Sequence, residues 1–328
     1  MAPSLLHPPS HLSPAAALQL SQQAPIVLQN SPATVSASPL VSLFSTSESP
    51  DLWLKYENLL QSCLRTGDQH AAHQCLDRIV ARFGVNNERV QALQGLVKEA
   101  DASNNGELEK VLKDYERVLA ENGTNIPVTK RRIALLRSMG RIPEAAASLL
   151  QLLDFSPTDP EAWSELADLY LSQGMYPQAI FALEEVLVMA PNAWNMHARL
   201  GEVQYMAASA TGSSDAASQK YLAEALKRFA RSVELCDDYL RGYYGLKLVT
   251  TKLLNDPPKS AAVKATDLDE FPAPTTATVE KLNELATAKL SEIVRRFTAK
   301  ERQWRGYDEA EIEAARNLLA KDEAKTER

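Results

Sequence analysis

The sequence is short of cysteine, of basic charge and of long apolar runs, and each shortage removes a class of protein. Cys63, Cys75 and Cys236 are odd in number, far apart and without a CxxC pair. They fit a reducing compartment rather than a disulfide framework. A net charge of −7 argues against a general nucleic-acid binder, whose contact face carries clustered Lys and Arg. No apolar run approaches the roughly 18 residues needed to span a bilayer. The opening MAPSLLHPPSHLSP lacks a basic region and is broken by prolines, so it does not resemble a signal peptide, and without arginine it does not resemble a mitochondrial leader. These absences predict a cytosolic chain with no membrane span of its own, held at any membrane by partners.

Catalytic signatures are missing too. No Gly-rich phosphate loop, GxSxG, HExxH or acidic pair with an identifiable nucleophile occurs, so the expectation is a protein that is not an enzyme and needs no cofactor. His70, His73 and Cys75 invite a metal reading. On a helix, however, residues 70 and 73 share a face from which 75 points away, and a structural site wants four well-placed ligands. No metal site is expected there, and Cys75 is better read as a small buried hydrophobe.

What the sequence does contain is periodicity. From Asp159 to Pro191, with Pro160 as position 1 of a 34-residue unit, Trp163 falls at 4, Leu166 at 7, Ala167 at 8, Tyr170 at 11, Gly174 at 15, Ala179 at 20, Leu183 at 24 and Pro191 at 32. Trp163, Leu166 and Tyr170 form one helical face; Ile180, Leu183 and Leu187 form another. Ala167 and Ala179 are small where the two helices must approach, Gly174 supplies the turn, and Pro191 ends the second helix. This is the signature of a tetratricopeptide repeat (TPR). One hairpin cannot bury its own apolar face, so neighbours must repeat the pattern.

They do. One period upstream, Ile133, Leu136, Gly140, Ala145, Leu149, Leu152 and Pro157 occupy the matching positions; further upstream, Trp53 to Gly84 carries Tyr56, Leu59, Gly67, Ala72, Leu76 and Ile79 in register. Glu88 to Gly123 gives two apolar helices around a polar turn, ASNNGE, which looks longer than standard. Downstream, Leu200 and Gly201, then Ala225 and Phe229, then Tyr243 and Leu246 continue the array. The predicted fold class is all-α: a TPR-type α-solenoid, a right-handed superhelix of helical hairpins over residues 50–300. Loop insertions are expected near 207–218 and at 255–278, the second carrying four prolines. Residues 301–328 form a C-terminal helical extension. Residues 1–49, rich in Ser, Pro and Ala and without Lys or Arg, are expected to be a disordered tail, with Leu18 to Leu20 and Val27 to Leu28 the sole hint of a docking segment.

The one notable basic cluster is Lys130, Arg131, Arg132, Arg137 and Arg141. Such a run is by default a solvated helix face. Lys130 and Arg137, though, sit at positions 5 and 12 of a first helix, which line the groove of a TPR array, so the five residues are candidate contacts for an acidic partner segment. The carboxylate clamp of some TPR grooves needs Lys at 5 and Asn at 9. Here those positions hold Lys130 and Ala134, then Ser164 and Asp168, and the clamp is absent.

Several stretches go beyond a generic repeat. PEAWSELADLYLSQGMYPQAIFALEEVLVMAP, LGEVQYMAA, YLAEALKRFARSVELCDDYLRGYYGLKL with the NDPPKS after it, and the upstream KRRIALLRSMGRIPEAAASL together resemble the family of subunit 2 of the endoplasmic reticulum membrane protein complex. The resemblance covers about residues 50–297. It implies a non-catalytic scaffold at the cytoplasmic face of the endoplasmic reticulum, part of a hetero-oligomer with the other subunits of that complex. Such a scaffold would hold the cytosolic parts of membrane subunits and support insertion of tail-anchored and other transmembrane segments. The second reading is a free cytosolic TPR adaptor or cochaperone that binds peptide segments; the extra loops favour the scaffold.

Overall fold

The computed structural model describes residues 4–8, 12–29, 49–211, 216–256, 275–304 and 306–326. Among the described residues all regular structure is helical. The chain forms two compact units, Met1–Leu152 and Leu153–Arg328.

Helix starts follow from local chemistry. Helices α3 (Pro50–Thr66), α4 (Gln69–Phe83), α5 (Glu88–Asp101), α6 (Asn105–Glu121) and α7 (Ile126–Ser138) are preceded by Ser49, Asp68, Asn87, Asn104 and Asn125. Each of these side chains accepts a hydrogen bond from a backbone N–H of the first turn that has no partner within the helix. Between α3 and α4 the chain turns at Gly67, and after α7 at Gly140, with φ of 78° and 75°, a conformation in which a Cβ would be strained. Helix α8 spans Ile142–Phe155.

The core of the first unit gathers Tyr56, Leu59, Leu60 and Cys63 of α3, Ala72 and Cys75 of α4, and Val90 and Val97 of α5. Burial pushes the Cys63 thiol up to about 11 and that of Cys75 to about 12, so both behave as small hydrophobes and not as thiolates. The turn between α5 and α6 is Ala102–Asn104, no longer than the Met139–Arg141 turn after α7. It looks long in the sequence because α6 begins inside the polar ASNNGE run, at Asn105, with Asn104 as its cap.

The N-terminal stretch departs from the expected disorder over residues 12–29. Two short helices, α1 (Pro14–Ser21) and α2 (Ala24–Gln29), pack on α3 and α4, with Leu20, Ala17 and Ala24 almost wholly buried. Ala17, Leu20, Ser21 and Ala24 are buried and Val27 and Leu28 half-buried, and that cover outweighs a composition poor in charge and rich in proline. The rest of the expected tail, residues 30–48, lies outside the described residues.

In the second unit, α9 (Pro160–Ser172) and α10 (Tyr176–Met189) make the hairpin recognised from its period, followed by α11 (Trp194–Thr211), α12 (Ala216–Leu235), α13 (Leu240–Asn255) and α14 (Thr276–Thr298). Leu166, Ala167, Ala179 and Leu183 are buried, Trp163 and Tyr170 pack against them half-buried, and Gly174 turns the chain at φ 71°. Phe229 of α12 lies against two glycines. A Cβ on Gly201 would come within 3.0 Å of its ring and one on Gly245 within 2.0 Å, so the ring fills space that only glycine leaves.

The insertion expected as a loop near 207–218 is mostly helix. It lengthens α11 and α12, with Ala207, Ala208 and Ser218 buried and Ser218 Oγ donating to the Ala208 carbonyl at 2.8 Å. Alanine favours helix, and small side chains let the extended arms lie close. Residues 212–215 lie outside the described residues, as do 257–274, the greater part of the expected proline-rich loop. Helix α15 (Glu309–Thr326) lies in the expected C-terminal extension and packs on the helices before it. Ile312 and Ala315 are buried, Tyr307 Oη donates to the Asp238 carbonyl at 2.7 Å, and Arg241 pairs with Glu311 at 2.6 Å. It covers the apolar flank of α13 and α14, as a terminal cap of a repeat array must.

Candidate partner-binding surfaces

The α7 cluster is less of a free basic face than its sequence suggests. Arg131 is largely buried and paired with Glu99 of α5, and Tyr115 of α6 donates its hydroxyl to the same carboxylate. Burial works against the Arg131 charge, yet Glu99 and Tyr115 outweigh it and hold its pKa above the ordinary value. Burial and the neighbouring Glu99 push Tyr115 strongly upward. Arg132 donates to Ser148 Oγ at 2.7 Å and lies 3.4 Å from Glu116, while Arg141 meets Glu144 at 2.5 Å and Glu109 at 3.3 Å. Arg137 is exposed and Lys130 half-buried on the same helix, each with interactions of its own. Three of the five candidates therefore already hold carboxylates of this chain.

Several pairs between hairpins share a period. Glu57 with Arg89, Glu99 with Arg131, and Glu109 with Arg141 are each 32 residues apart. Asp168 with Arg199 is 31 apart. Residues one repeat apart face each other across stacked hairpins, so a carboxylate on one helix meets an arginine on the counterpart helix of the next hairpin or, for Arg141, in the turn before it. Pairing acids with arginines one repeat downstream would have found this ladder in the sequence; a run of adjacent cations pointed elsewhere.

At the absent clamp, Ser164 Oγ lies 3.7 Å from the Met196 sulfur and Asp168 accepts from Arg199 at 2.9 Å, with Glu202 on the other side of the guanidinium at 2.9 Å. These positions are tied to each other and do not present a free cation for a peptide carboxylate. His73 pairs with Asp101 at 2.9 Å, His70 is exposed and Cys75 fully buried, so the structure does not bring the three together.

A recess of about 400 Å³ in the second unit went unseen in the sequence. Tyr205 and Met206 of α11, Phe229 of α12, and Tyr244 and Leu248 of α13 give it an apolar lining; the pairs Arg199–Glu202 and Arg241–Glu311 line it as well. An apolar floor under paired charges can seat an apolar side chain without stranding an ion. Its walls come from α11, α12, α13 and α15, so no local pattern announces it. Burial raises the Tyr205 pKa, in keeping with a phenol turned from bulk water. No helix among the described residues is long and apolar enough to cross a membrane.

Stacked hairpins of this period, capped at the end by an added helix, define a tetratricopeptide-repeat α-solenoid. A family model described as the EMC2 TPR-like repeat domain matches residues 75–220. The chain is 34% identical over 223 residues to TPR repeat protein oca3 of Schizosaccharomyces pombe, covering 66% of this chain and 75% of that one. It is 30% identical over 225 residues to ER membrane protein complex subunit 2-A of Xenopus laevis, covering 69% and 71%. The subunit 2 of Saccharomyces cerevisiae is 26% identical over 52% of this chain and 60% of its own. The chain belongs to the family of ER membrane protein complex subunit 2.

Proposed function

We propose that this chain is a non-catalytic scaffold subunit of the ER membrane protein complex, placed on the cytoplasmic face and held there by its partners. In this reading it grips the cytosolic parts of the membrane subunits on pre-formed surfaces of its hairpins, and through them supports insertion of tail-anchored and other transmembrane segments. One observation carries the proposal: family membership, with 30% identity across 71% of an ER membrane protein complex subunit 2. Hairpins already tied to one another by an ion-pair ladder suit the role, since a surface that is ordered before binding loses little entropy on assembly.

Of the basic candidates, Lys130, Arg132, Arg137 and Arg141 are assigned to contact an acidic segment of a partner. Arg131 is assigned to the scaffold's own interior, because reversing its charge would strand Glu99.

The test is affinity purification of the tagged chain from gently detergent-solubilised membranes, with mass-spectrometric identification of what co-purifies. Stoichiometric multi-spanning membrane proteins are the expected result. Recovery of soluble chaperones alone, or of the chain by itself, would favour a free TPR adaptor and overturn the proposal. Reversing Lys130 and Arg137 together should weaken that recovery while leaving the helical content unchanged; undiminished recovery of every partner would remove the basic cluster from the interface.

A further inference from the structure

The first hairpin of the chain already carries a guest. Residues 14–29 lie on α3 and α4, with Leu20 fully buried and Ala17 and Ala24 nearly so. The guest is uncharged, as the first Asp, Glu, Lys or Arg of the chain is Glu48. Docking it therefore desolvates no ion.

The hairpin's polar side chains address the guest's backbone. Arg78 Nη2 donates to the Leu28 carbonyl, Arg78 Nη1 donates to Tyr56 Oη at 2.6 Å, and Tyr56 Oη lies 3.5 Å from the Val27 carbonyl as donor. Leu28 and Val27 sit in the last turn of α2, where carbonyls have no N–H partner within the helix. Arg78 also brings its positive charge to the end of a helix that favours one, its guanidinium 5.4 Å from the centre of the Tyr56 ring. Further along, Asn58 Nδ2 donates to the Leu5 carbonyl at 2.7 Å.

An apolar slot with donors aimed at terminal carbonyls selects a helix by its face, length and polarity. The guest contributes fewer large side chains to the shared core than the hairpin does. Leu20 is the sole large side chain of α1 and α2 that is fully buried, whereas α3 alone contributes Tyr56, Leu59 and Leu60 in that state. The α3–α4 core has large buried side chains of its own, Tyr56, Leu59 and Leu60.

We propose that the α3–α4 hairpin is a docking face for a short uncharged helix, gripped at its C-terminal end by Arg78 and Tyr56, and that residues 14–29 are its built-in, displaceable occupant. A partner helix with small or apolar residues at i, i+3, i+4 and i+7 and unshielded terminal carbonyls competes for the same face. While the segment is seated the face is closed to such a helix, so the contact is autoinhibitory.

The experiment uses the full chain. Leu20→Glu places a charge in the slot and should release the segment. Hydrogen exchange should then show residues 14–29 losing protection while residues 50–83 keep theirs. A labelled, C-terminally amidated peptide of residues 12–29 should bind the Leu20→Glu chain saturably by fluorescence anisotropy. It should bind the wild-type chain at least about tenfold more weakly, as expected when the competent state is a minor one. Adding Arg78→Met to the Leu20→Glu chain should abolish that binding, with protection of residues 50–83 as the control for folding. Failure of the peptide to bind the Leu20→Glu chain, loss of protection in α3 and α4 together with the segment, or unchanged binding after Arg78→Met would each overturn the proposal.

Discussion

Between α5 and α7 of the first unit, neighbouring hairpins meet through Arg131, Glu99 and Tyr115, a half-buried ion pair with a phenol on the same carboxylate. Between α11 and α13 of the second unit they meet through Phe229, whose ring fills the space left by Gly201 and Gly245. Both devices fix the register of one helix on the next. The first does so by charge, at the cost of desolvating an arginine and a carboxylate. The second does so by shape, using dispersion and the hydrophobic effect. A solenoid built of nearest-neighbour contacts can use either device locally, because each interface is nearly independent of the others. The two should therefore fail differently.

Phe229→Ala should have the largest effect, lowering unfolding free energy by about 3–5 kcal/mol as expected for an emptied aromatic site, read as a fall in the midpoint of thermal or urea unfolding. Gly245→Ala approaches the same interface from the other side and should cost about 1–3 kcal/mol by overpacking. Combining it with Phe229→Leu should cost less than the sum of the two changes, because the smaller side chain admits the methyl. Strict additivity would mean that the ring and the glycine are not coupled.

Arg131→Met should cost about 1–3 kcal/mol, because Glu99 is left with most of its surface inside the protein and no cation. Glu99→Gln in the same chain should recover part of the loss. A surface pair of the same unit provides the contrast. Lys98 and Asp114 lie 2.7 Å apart with much of both side chains exposed, and Lys98→Ala should cost less than about 1 kcal/mol and vanish into error at high salt. If Arg131→Met proves equally mild, the charge-locked interface is an ordinary surface contact.

The smallest effect expected is on pH dependence in the second unit. Burial holds the His197 pKa below its ordinary value, against the pull of its hydrogen bond to the Pro191 carbonyl at 3.0 Å. The unfolded chain, near 6.5, then binds a proton more readily than the folded one. Stability is therefore complete above about pH 6.5 and declines as pH falls from there toward the folded value. Urea midpoints across that window should fall less steeply for His197→Gln than for the wild type.

Much of this architecture was legible in the sequence because it rests on local rules. Gly67, Gly140 and Gly174 mark turns wherever the period predicts them, and Trp163 through Leu183 trace the buried faces of one hairpin. What escaped was tertiary. Arg131 was visible as a cation, but its partner stands one repeat back, on another hairpin. The recess that Phe229 helps line draws its walls from four helices spread over more than a hundred residues. Residues 14–29 looked like a tail because proline and missing charge dominate their composition, yet their apolar stripe finds cover on α3 and α4. The alanine-rich stretch before Thr211 has no repeat partner, but alanine keeps it helical.

The account rests on a scaffold that is ordered before it meets its partners. Hydrogen–deuterium exchange on the purified free chain, repeated on the chain within its purified complex, tests this most directly. The account predicts that α3 to α14 are already protected in the free chain and that assembly adds protection only in surface patches. Helices that exchange freely alone and become protected only in the complex would contradict it, because the chain would then fold on its partners instead of organising them.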